Sequence, residues 1–194
     1  QFRRIIPKIR KFFPHAIIVA GGPHVSGLPE QTLIDNPELN YVVKGEGEEA
    51  LKLLASHCMG DSPEAALQTI PNLAYRTADG ININSLSFIN VDEYGAPAWD
   101  VLEPDKYPPI QHGTVHKSRH VVPIITSRGC PYPCTFCAGH LLTGKEVRRR
   151  NVGSVVDEIE FLQSRYGFEE FIIEDENFTF YREHVINLSG ELKK

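Results

Sequence analysis

A chain of 194 residues that is 41% hydrophobic and 23% charged has an ordinary globular composition, which excludes a disordered or fibrous protein. Its formal net charge of -5 at pH 7 gives no basic surface for nucleic acid, so we expect no nucleic-acid partner. No apolar run approaches the roughly 20 residues that span a bilayer, and no segment has the layout of a signal peptide, so we expect a cytoplasmic protein without a membrane span.

The first sixty residues contain two strand-turn-helix patterns. The run "AIIVAGGPH" (16–24) follows an amphipathic helix pattern and predicts a buried parallel strand that ends at a Gly-Gly-Pro turn. The run "YVVKGEGEEALKLLASH" (41–57) repeats strand, glycine turn and helix, with glutamates at the helix start, where the helix dipole favours negative charge. Alternating units of this kind predict a parallel sheet in the α/β class.

Residues 61–120 follow a different pattern. They are rich in proline and show no sustained helical period, while "LAYRTADGININ" (73–84) predicts a β-hairpin that turns at Asp79-Gly80. We interpret residues 61–120 as a connector between two α/β segments.

The strand-helix pattern returns at Val121. The run "VVPIITS" (121–127) predicts a strand, and the apolar residues from Val152 onward predict a helix that Asn151 caps. The run "EEFIIEDENFTF" (169–180) predicts the next strand, which ends in acidic residues. These elements predict further βα units.

Three of the four cysteines lie within eight positions, in "TSRGCPYPCTFCAGH" (126–140). Cys130, Cys134 and Cys137 form a C-x3-C-x2-C pattern, whereas Cys58 lies at the end of a predicted amphipathic helix. Four unevenly spaced cysteines are too few for a disulfide scaffold in a chain of this length. The cluster of three therefore indicates metal or redox chemistry.

Two kinds of metal site are compatible with three clustered thiols. A structural zinc site needs four ligands, usually from two separated pairs, and here His140 would have to supply the fourth. A 4Fe-4S cluster is usually held by four cysteines, so three cysteines leave one iron open. An open iron can coordinate a substrate or cofactor, whereas an electron carrier gains nothing from it.

The run "SRGCPYPCTFC" (127–137) resembles the cluster motif of radical S-adenosylmethionine (SAM) enzymes, in the form typical of the class that carries a cobalamin-binding domain in front. The resemblance implies that Cys130, Cys134 and Cys137 bind a 4Fe-4S cluster whose open iron is chelated by SAM. It also implies that Phe136 lies beside the adenine of SAM. Ordinary packing under the loop is the alternative for Phe136.

In the same family, acidic residues at the end of the second barrel strand contact the ammonium group of SAM. The matching segment here is "IEDENFT" (173–179). The resemblance implies Asp175 as the first candidate for this contact and Glu174 as the second. A solvated strand end is the alternative for both residues.

The front of the chain resembles the C-terminal part of the family's cobalamin-binding domain, through "GGPH" (21–24) and "KGEGEEAL" (44–51). The resemblance implies that Gly21 and Gly22 lie where the nucleotide tail of cobalamin enters. Glycines lack side chains and so let a bulky ligand approach the backbone at the carboxyl edge of a sheet. A glycine turn that serves only the fold is the alternative, and the "GEGE" stretch has no chemical role that the sequence reveals.

The resemblance implies an α/β fold in three parts. They are the C-terminal part of a Rossmann-like cobalamin-binding domain (1–60), a connector with a β-hairpin (61–120), and the first βα units of a partial TIM-type radical SAM barrel (121–194). Because the chain begins at Gln1 and ends within a predicted helix, we expect an interior fragment of a longer protein. We expect this fragment alone neither to bind cobalamin stably nor to turn over substrate.

The resemblance also implies the chemistry. A reduced cluster gives one electron to the sulfonium of SAM, and the resulting 5'-deoxyadenosyl radical abstracts hydrogen from the substrate. The implied cofactors are a 4Fe-4S cluster, SAM and cobalamin, and the implied partners are a small-molecule substrate and an electron donor such as flavodoxin or ferredoxin. The expected activity is that of a cobalamin-dependent methyltransferase or cyclase.

Two other functions remain open at this stage. One is a radical SAM enzyme without functional cobalamin, similar to the methylthiotransferases. The other is a non-catalytic iron-sulfur protein for electron transfer or sensing.

Overall fold

The computed structural model describes residues 2–60, 64–108 and 116–193, which divide into two compact units. The first unit comprises Gln1–Ile89 and Tyr132–Gly144, and the second comprises Asn90–Pro131 and Lys145–Lys194. Residues 61–63 and 109–115, both within the predicted connector, lie outside the described part of the chain.

The first unit is built on a four-stranded mixed sheet in the order β1-β2-β3-β4. Strands β1 and β2 are parallel, and the pairs β2/β3 and β3/β4 are antiparallel. Its helices and strands are α1 (Phe2–Phe12), β1 (Val19–Ala20), α2 (Pro23–Gly27), α3 (Pro29–Asp35), β2 (Tyr41–Val43), α4 (Glu48–Met59), β3 (Leu73–Thr77) and β4 (Gly80–Ile83).

Helices cover both faces of this sheet. Because successive side chains of a strand point to opposite faces, Val42 and Val43 enter different cores. Val42 packs with Leu33 of α3 in one core, and Val43 packs with Leu54 of α4 in the other. Cys58 packs against this second core, as expected for a cysteine outside the metal motif.

The predicted hairpin is confirmed, since β3 and β4 pair from Ala74↔Ile83 to Thr77↔Gly80. Strand β3 also pairs with β2, with Tyr41 opposite Tyr75, so the hairpin extends the sheet of the first unit. Without this pairing, one edge of β2 would leave its backbone groups unpaired. The predicted division of the chain at residues 60 and 120 stays a prediction.

Two strands are shorter than the apolar runs that predicted them. Strand β1 covers only Val19–Ala20, and the chain turns at Gly22 into α2, because Pro23 has no N–H for a sheet ladder but suits the first turn of a helix. Strand β8 covers Glu170–Ile173, and the acidic residues that follow it lie in a loop.

Within its described residues, the second unit contains a two-stranded parallel sheet, a short antiparallel pair and three α-helices. Strands β5 and β8 run parallel, with Val121 opposite Glu170 and Ile124 opposite Ile173, and β6 pairs antiparallel with β7. The β5-α6-β8 succession is a βα arrangement of the kind that the sequence predicts. The elements are α5 (Trp99–Leu102), β5 (Val121–Ile124), β6 (Ser127–Arg128), β7 (Arg148–Arg149), α6 (Val152–Tyr166), β8 (Glu170–Ile173) and α7 (Arg182–Glu191).

Helix α6 forms as predicted. The side chain of Asn151 accepts a hydrogen bond from the amide of Gly153 at 2.8 Å, which satisfies one of the free N–H groups at the helix start. The helix ends at Tyr166, and the next residue, Gly167, has a φ of 72°, the left-handed conformation common at helix C-termini. Val155 and Leu162, both fully buried, place one face of the helix in the core of the second unit.

A buried ion pair involves α6 and a residue shortly before it, and one of its members also binds α5. Arg150 and Glu158 pair side chain to side chain, and both are more than nine-tenths buried. The indole N–H of Trp99 donates to Oε1 of Glu158 at 2.7 Å, and Arg150 also donates to the carbonyl oxygen of Ile125 at 2.9 Å. The network satisfies most of the polar groups that the charges bring into the core.

None of the helices within the described ranges has the length and apolar character that crossing a membrane requires.

Candidate cofactor-binding loop and strand ends

In the second unit, the carboxyl ends of β5 and β8 are joined by one carboxylate. Asp175 accepts hydrogen bonds from the amide and hydroxyl of Thr126 at 2.7 and 2.6 Å, and from the hydroxyl of Ser127 at 2.7 Å. The amide of Glu174 donates to the carbonyl oxygen of Ile124 at 2.9 Å and closes the strand ladder. Asp175 therefore fixes the point at which the chain leaves β5 toward the cysteines.

Glu176 contributes to the same region, although sequence reasoning assigned it no role. Its carboxylate accepts a hydrogen bond from the amide of Gly129 at 3.2 Å, one residue before Cys130. The signal in the sequence was the acidic run after β8, but a run of charges alone does not reveal which carboxylate turns back to the chain. Two neighbouring acids, Asp175 and Glu176, thus accept hydrogen bonds from the residues that immediately precede Cys130.

Glu174, the other predicted acid, has a different environment. Its side chain is exposed and makes no hydrogen bond or ion pair with the described residues, whereas the carboxylate of Asp175 is half-buried and already has three donors. The two candidates for a contact with the ammonium group of SAM therefore differ in exposure and in hydrogen bonding. Asp175 is fixed in orientation, and Glu174 presents a carboxylate to solvent.

The three motif cysteines are divided between the two units. Cys130 is half-buried in the second unit, and Cys134 and Cys137 are exposed in the first unit; all four cysteines of the chain are free thiols. Across the described ranges, no three His, Cys, Asp or Glu side chains are already arranged to hold a metal ion. The assignment of a cluster to these cysteines consequently rests on the donor set and its spacing.

Local geometry around Cys137 suits a thiolate ligand. The amide of Cys137 donates to the carbonyl oxygen of Cys134 at 3.1 Å, which forms a tight turn between them. The amide of Gly139 points at Sγ of Cys137 at 3.3 Å. Backbone hydrogen bonds to ligand sulfur are among the groups that set the properties of protein-bound iron-sulfur clusters. These residues fit a 4Fe-4S cluster chemically.

Phe136 is 91% exposed. A large aromatic ring at this exposure has little packing within its own unit, so the structure gives no support to the alternative of ordinary packing under the loop. Exposure of the ring leaves it available to a planar ligand.

The glycine pair lies at the carboxyl end of β1, as predicted. Gly22 has a φ of 99°, which favours glycine, and a Cβ placed there would meet no atom of the described residues within 4 Å, apart from its own chain neighbours. A Cβ on Gly21 would meet the carbonyl oxygen of Val43 at 3.6 Å, an ordinary contact. The backbone at this edge is therefore open to a ligand, and at Gly22 the turn itself also requires glycine.

His184 is a buried residue that the sequence analysis did not single out. It lies in α7, is 6% exposed, and its Nε2 has no hydrogen-bond partner among the residues that the structure describes. Burial lowers the pKa of His184, Arg149 lowers this pKa further, and Asp175 acts in the opposite direction. The imidazole is therefore held in the neutral form near the strand ends.

The lowered pKa of His184 predicts a pH-dependent stability. Below the ordinary histidine pKa of about 6.5, the unfolded chain binds the proton more readily than the folded one, so the free energy of unfolding falls as pH decreases from 7 toward 5. The loss is about 1.4 kcal/mol for each unit of pKa difference. Urea unfolding at both pH values checks this, with His184→Leu expected to flatten the dependence. The same substitution at exposed His15 is the control, and an unchanged slope in His184→Leu would contradict the prediction.

Comparison with known proteins gives relatives over nearly the whole chain, although no protein-family model matches it. The chain is 34% identical over 184 residues to an uncharacterized methyltransferase of Pyrococcus horikoshii, covering 93% of this chain and 38% of that protein. It is 30% identical over 183 residues to the anaerobic magnesium-protoporphyrin IX monomethyl ester cyclase of Rubrivivax gelatinosus, covering 93% of this chain and 32% of that protein.

A solved structure shares the fold. The radical SAM methyltransferase TsrM from Kitasatospora setae, solved with cobalamin and a [4Fe-4S] cluster bound, superposes with a TM-score of 0.71 at 26% identity. The match covers 98% of this chain and 36% of that chain. The chain thus spans about a third of the length of these relatives: 38% of the Pyrococcus protein, 32% of the cyclase and 36% of TsrM.

Proposed function

The chain is a homologue of the cobalamin-dependent radical SAM enzymes, and we propose on that premise that its protein uses a 4Fe-4S cluster to cleave SAM and act on a small molecule. The observation that carries the proposal is the C-x3-C-x2-C loop, which begins just after the carboxyl end of the parallel strand β5. That end of the strands is where α/β barrels place their chemistry.

Cys130, Cys134 and Cys137 are the proposed cluster ligands. Three thiolates leave one iron without a protein ligand, where the amino and carboxylate groups of SAM can bind. When bound, the cluster supplies the electron that splits SAM into methionine and the 5'-deoxyadenosyl radical. The protein's part is to hold the three sulfurs, with the amide of Gly139 directed at Sγ of Cys137.

Glu174 and Asp175 are the proposed acids for the ammonium group of SAM. Their position at the carboxyl end of β8, beside the residues that lead into the cysteine loop, supports this role. Asp175 holds a fixed orientation through its three donors, and Glu174 offers an exposed carboxylate. Phe136 is the proposed neighbour of the adenine, which its exposed ring supports.

Gly21 and Gly22 are proposed to admit the nucleotide tail of cobalamin. The open space at the Gly22 position supports this assignment. A small-molecule substrate is the proposed partner, together with an electron donor such as flavodoxin or ferredoxin to reduce the cluster. The reaction is proposed to be methyl transfer or cyclisation, since the relatives include a methyltransferase and a cyclase.

Substituting the acids tests their role. Asp175→Ala should weaken SAM binding by roughly 1.5 to 3 kcal/mol, more than Glu176→Ala does, because an ammonium-carboxylate contact in a water-poor site is charge-assisted. It should also lower the free energy of unfolding by about 1 to 3 kcal/mol, since the amide of fully buried Thr126 loses its acceptor.

Equilibrium SAM binding to the cluster-loaded protein and urea unfolding measure the two effects separately. Glu174→Gln is the matched variant, because within the described ranges its side chain makes no hydrogen bond that the change would break. It should reduce SAM affinity and leave stability unchanged. Wild-type affinity in both the Asp175 and the Glu174 variant would remove these acids from the site.

The function itself is tested by product analysis of the full-length protein. With a strong reductant and SAM under anaerobic conditions, we expect 5'-deoxyadenosine or methylated product, together with bound cobalamin. Product without cobalamin would favour a radical SAM enzyme of the methylthiotransferase type. A reducible cluster with no turnover of SAM would favour the electron-transfer or sensor function and reject the proposal.

A further inference from the structure

We propose that Gly45 is a positioning residue for Cys137: it is a contact through which the sheet of the first unit holds the chain that follows the cysteines. This assigns a role to the "GEGE" stretch, which has none in the sequence analysis. The inference rests on the proposed function, because it concerns the geometry of a cluster ligand. It is carried by contacts that all lie within the first unit.

The post-cysteine segment, residues 138–144, folds as a compact turn on this unit. The carbonyl oxygen of Gly139 accepts hydrogen bonds from the amides of Leu142 at 2.9 Å and Thr143 at 3.0 Å, and Gly139–Leu141 forms a short 3-10 helix. This short helix contacts α2, the helix that follows the Gly21-Gly22 pair. The segment is therefore built against the same edge of the sheet as the proposed cobalamin glycines.

Gly45 lies where the segment comes closest to the sheet. It follows β2 with a φ of 67°, in the left-handed region that favours glycine. A Cβ at this position would lie 3.3 Å from the carbonyl oxygen of Leu142, 3.6 Å from that of Leu141, and 2.9 Å from a methyl of Leu86. The methyl of Leu86 ends a flexible side chain and can move aside, and 3.6 Å is an ordinary contact. The tight contact is therefore the one with the backbone oxygen of Leu142, which would have to shift by a few tenths of an ångström. A side chain at residue 45 would therefore press on the post-cysteine segment at Leu142.

Ser26 connects Gly45 to the backbone of Gly22 through two hydrogen bonds. The amide of Gly45 donates to Oγ of Ser26 at 2.9 Å, and Oγ of Ser26 donates to the carbonyl oxygen of Gly22 at 2.8 Å. Ser26 is 7% exposed, and both hydrogen bonds are partly buried. The position of Gly45 is thus fixed by the backbone of the turn after β1.

The far end of the segment has a second close contact. Gly144 has a φ of 79°, and a Cβ there would lie 2.7 to 3.0 Å from three atoms of the Phe88 ring. The stretch that bears Phe88 is itself anchored. Asn72 exchanges hydrogen bonds with the backbone of Ser87, and the carboxylate of Glu46 accepts a hydrogen bond from the amide of Ile89 at 3.0 Å. The segment is therefore held at both ends by glycines that allow close packing.

The segment in turn positions the cysteine. The amide of Gly139, at the start of the turn, points at Sγ of Cys137, so moving the turn moves this donor and the main chain that carries the thiol.

The other residues of the motif do not make this approach. Glu46 is buried, and its carboxylate accepts a hydrogen bond from the amide of Ile89. Gly47 has a negative φ, and a Cβ there would make only ordinary contacts, at 3.6 Å or more. Within the motif, the close approach to the cysteine segment thus belongs to Gly45.

The first test needs no cofactor. In the apo protein, Gly45→Ala should speed amide hydrogen exchange at Leu142 and Thr143 by about tenfold, while the amide of Asn84 in the hairpin stays as in wild type. Gly47→Ala is the control for a change within the same motif. Gly167→Ala controls for left-handed strain, since Gly167 has a φ of 72° and nothing within 4 Å of its Cβ position.

The second test uses the cluster. In the reconstituted full-length protein, Gly45→Ala should shift the electron paramagnetic resonance spectrum and midpoint potential of the cluster, and Gly47→Ala and Gly167→Ala should not. Ser26→Ala provides a milder variant should Gly45→Ala fold poorly, and it should show the same direction of change in exchange and in the spectrum.

The outcomes separate this inference from the proposed function. Exchange at Leu142 and Thr143 that matches wild type in Gly45→Ala and in Ser26→Ala would overturn the inference, whether or not a cluster forms. Faster exchange with an unchanged cluster spectrum and potential would also overturn it, since the segment would then move without affecting Cys137. Failure of the wild-type protein to bind any cluster would reject the proposed function and, with it, the role of Cys137.

Discussion

Replacing any one of Cys130, Cys134 and Cys137 by alanine should abolish the iron-sulfur cluster, whereas Cys58→Ala should leave it intact. Anaerobic reconstitution of the wild-type protein should give about four irons per chain, because a cubane cluster held by three thiolates keeps four irons and one open position. With one ligand removed, only two thiolates remain, too few to hold the cubane. Iron and sulfide analysis with the visible absorption spectrum measures the effect.

Cys58 is a strong control for this experiment. It is a free, half-buried thiol that packs against a core of the first unit, so it reports general effects of losing a cysteine. Tight zinc without sulfide in the anaerobically prepared wild-type protein would reject the cluster and favour the zinc alternative. In that case His140→Ala should lower the zinc content.

Glu158→Ala should cost roughly 3 to 5 kcal/mol of unfolding free energy, because it leaves the charge of Arg150 buried without its partner. The same change removes the acceptor for the indole N–H of Trp99, which holds the segment bearing α5 against α6. The effect should therefore exceed that of removing an exposed acid from the same helix.

Asp157→Ala is the matched control, since Asp157 is the neighbouring acid on α6 and is exposed. Surface substitutions of this kind usually change stability by less than about 0.5 kcal/mol. Urea unfolding of wild type and both variants, monitored by Trp99 fluorescence and by circular dichroism, measures the difference. Equal stability of the Glu158 and Asp157 variants would contradict a structural role for the buried pair.

Local patterns in the sequence determined much of the fold. The apolar spacing from Val152 and the capping residue Asn151 predicted α6 because a helix period and an N-cap are properties of neighbouring residues. The turn at Asp79-Gly80 predicted the hairpin for the same reason. The lengths of β1 and β8 were overestimated, because an apolar run does not show where the ladder of a neighbouring strand ends.

The sequence alone also singled out the candidate site, since three cysteines at fixed spacing in one loop define a donor set without knowledge of the fold. Only the tertiary structure showed the different environments of the three acids. The carboxylates of Asp175 and Glu176 accept hydrogen bonds from residues 126–129, whereas the side chain of Glu174 faces solvent. It also decided why Gly45 is a glycine, and that the hairpin joins the sheet of β2. These contacts join residues that lie between about thirty and one hundred positions apart in the sequence. Such contacts depend on how the core packs and on how closely two backbone segments approach, and a local pattern of side chains predicts neither.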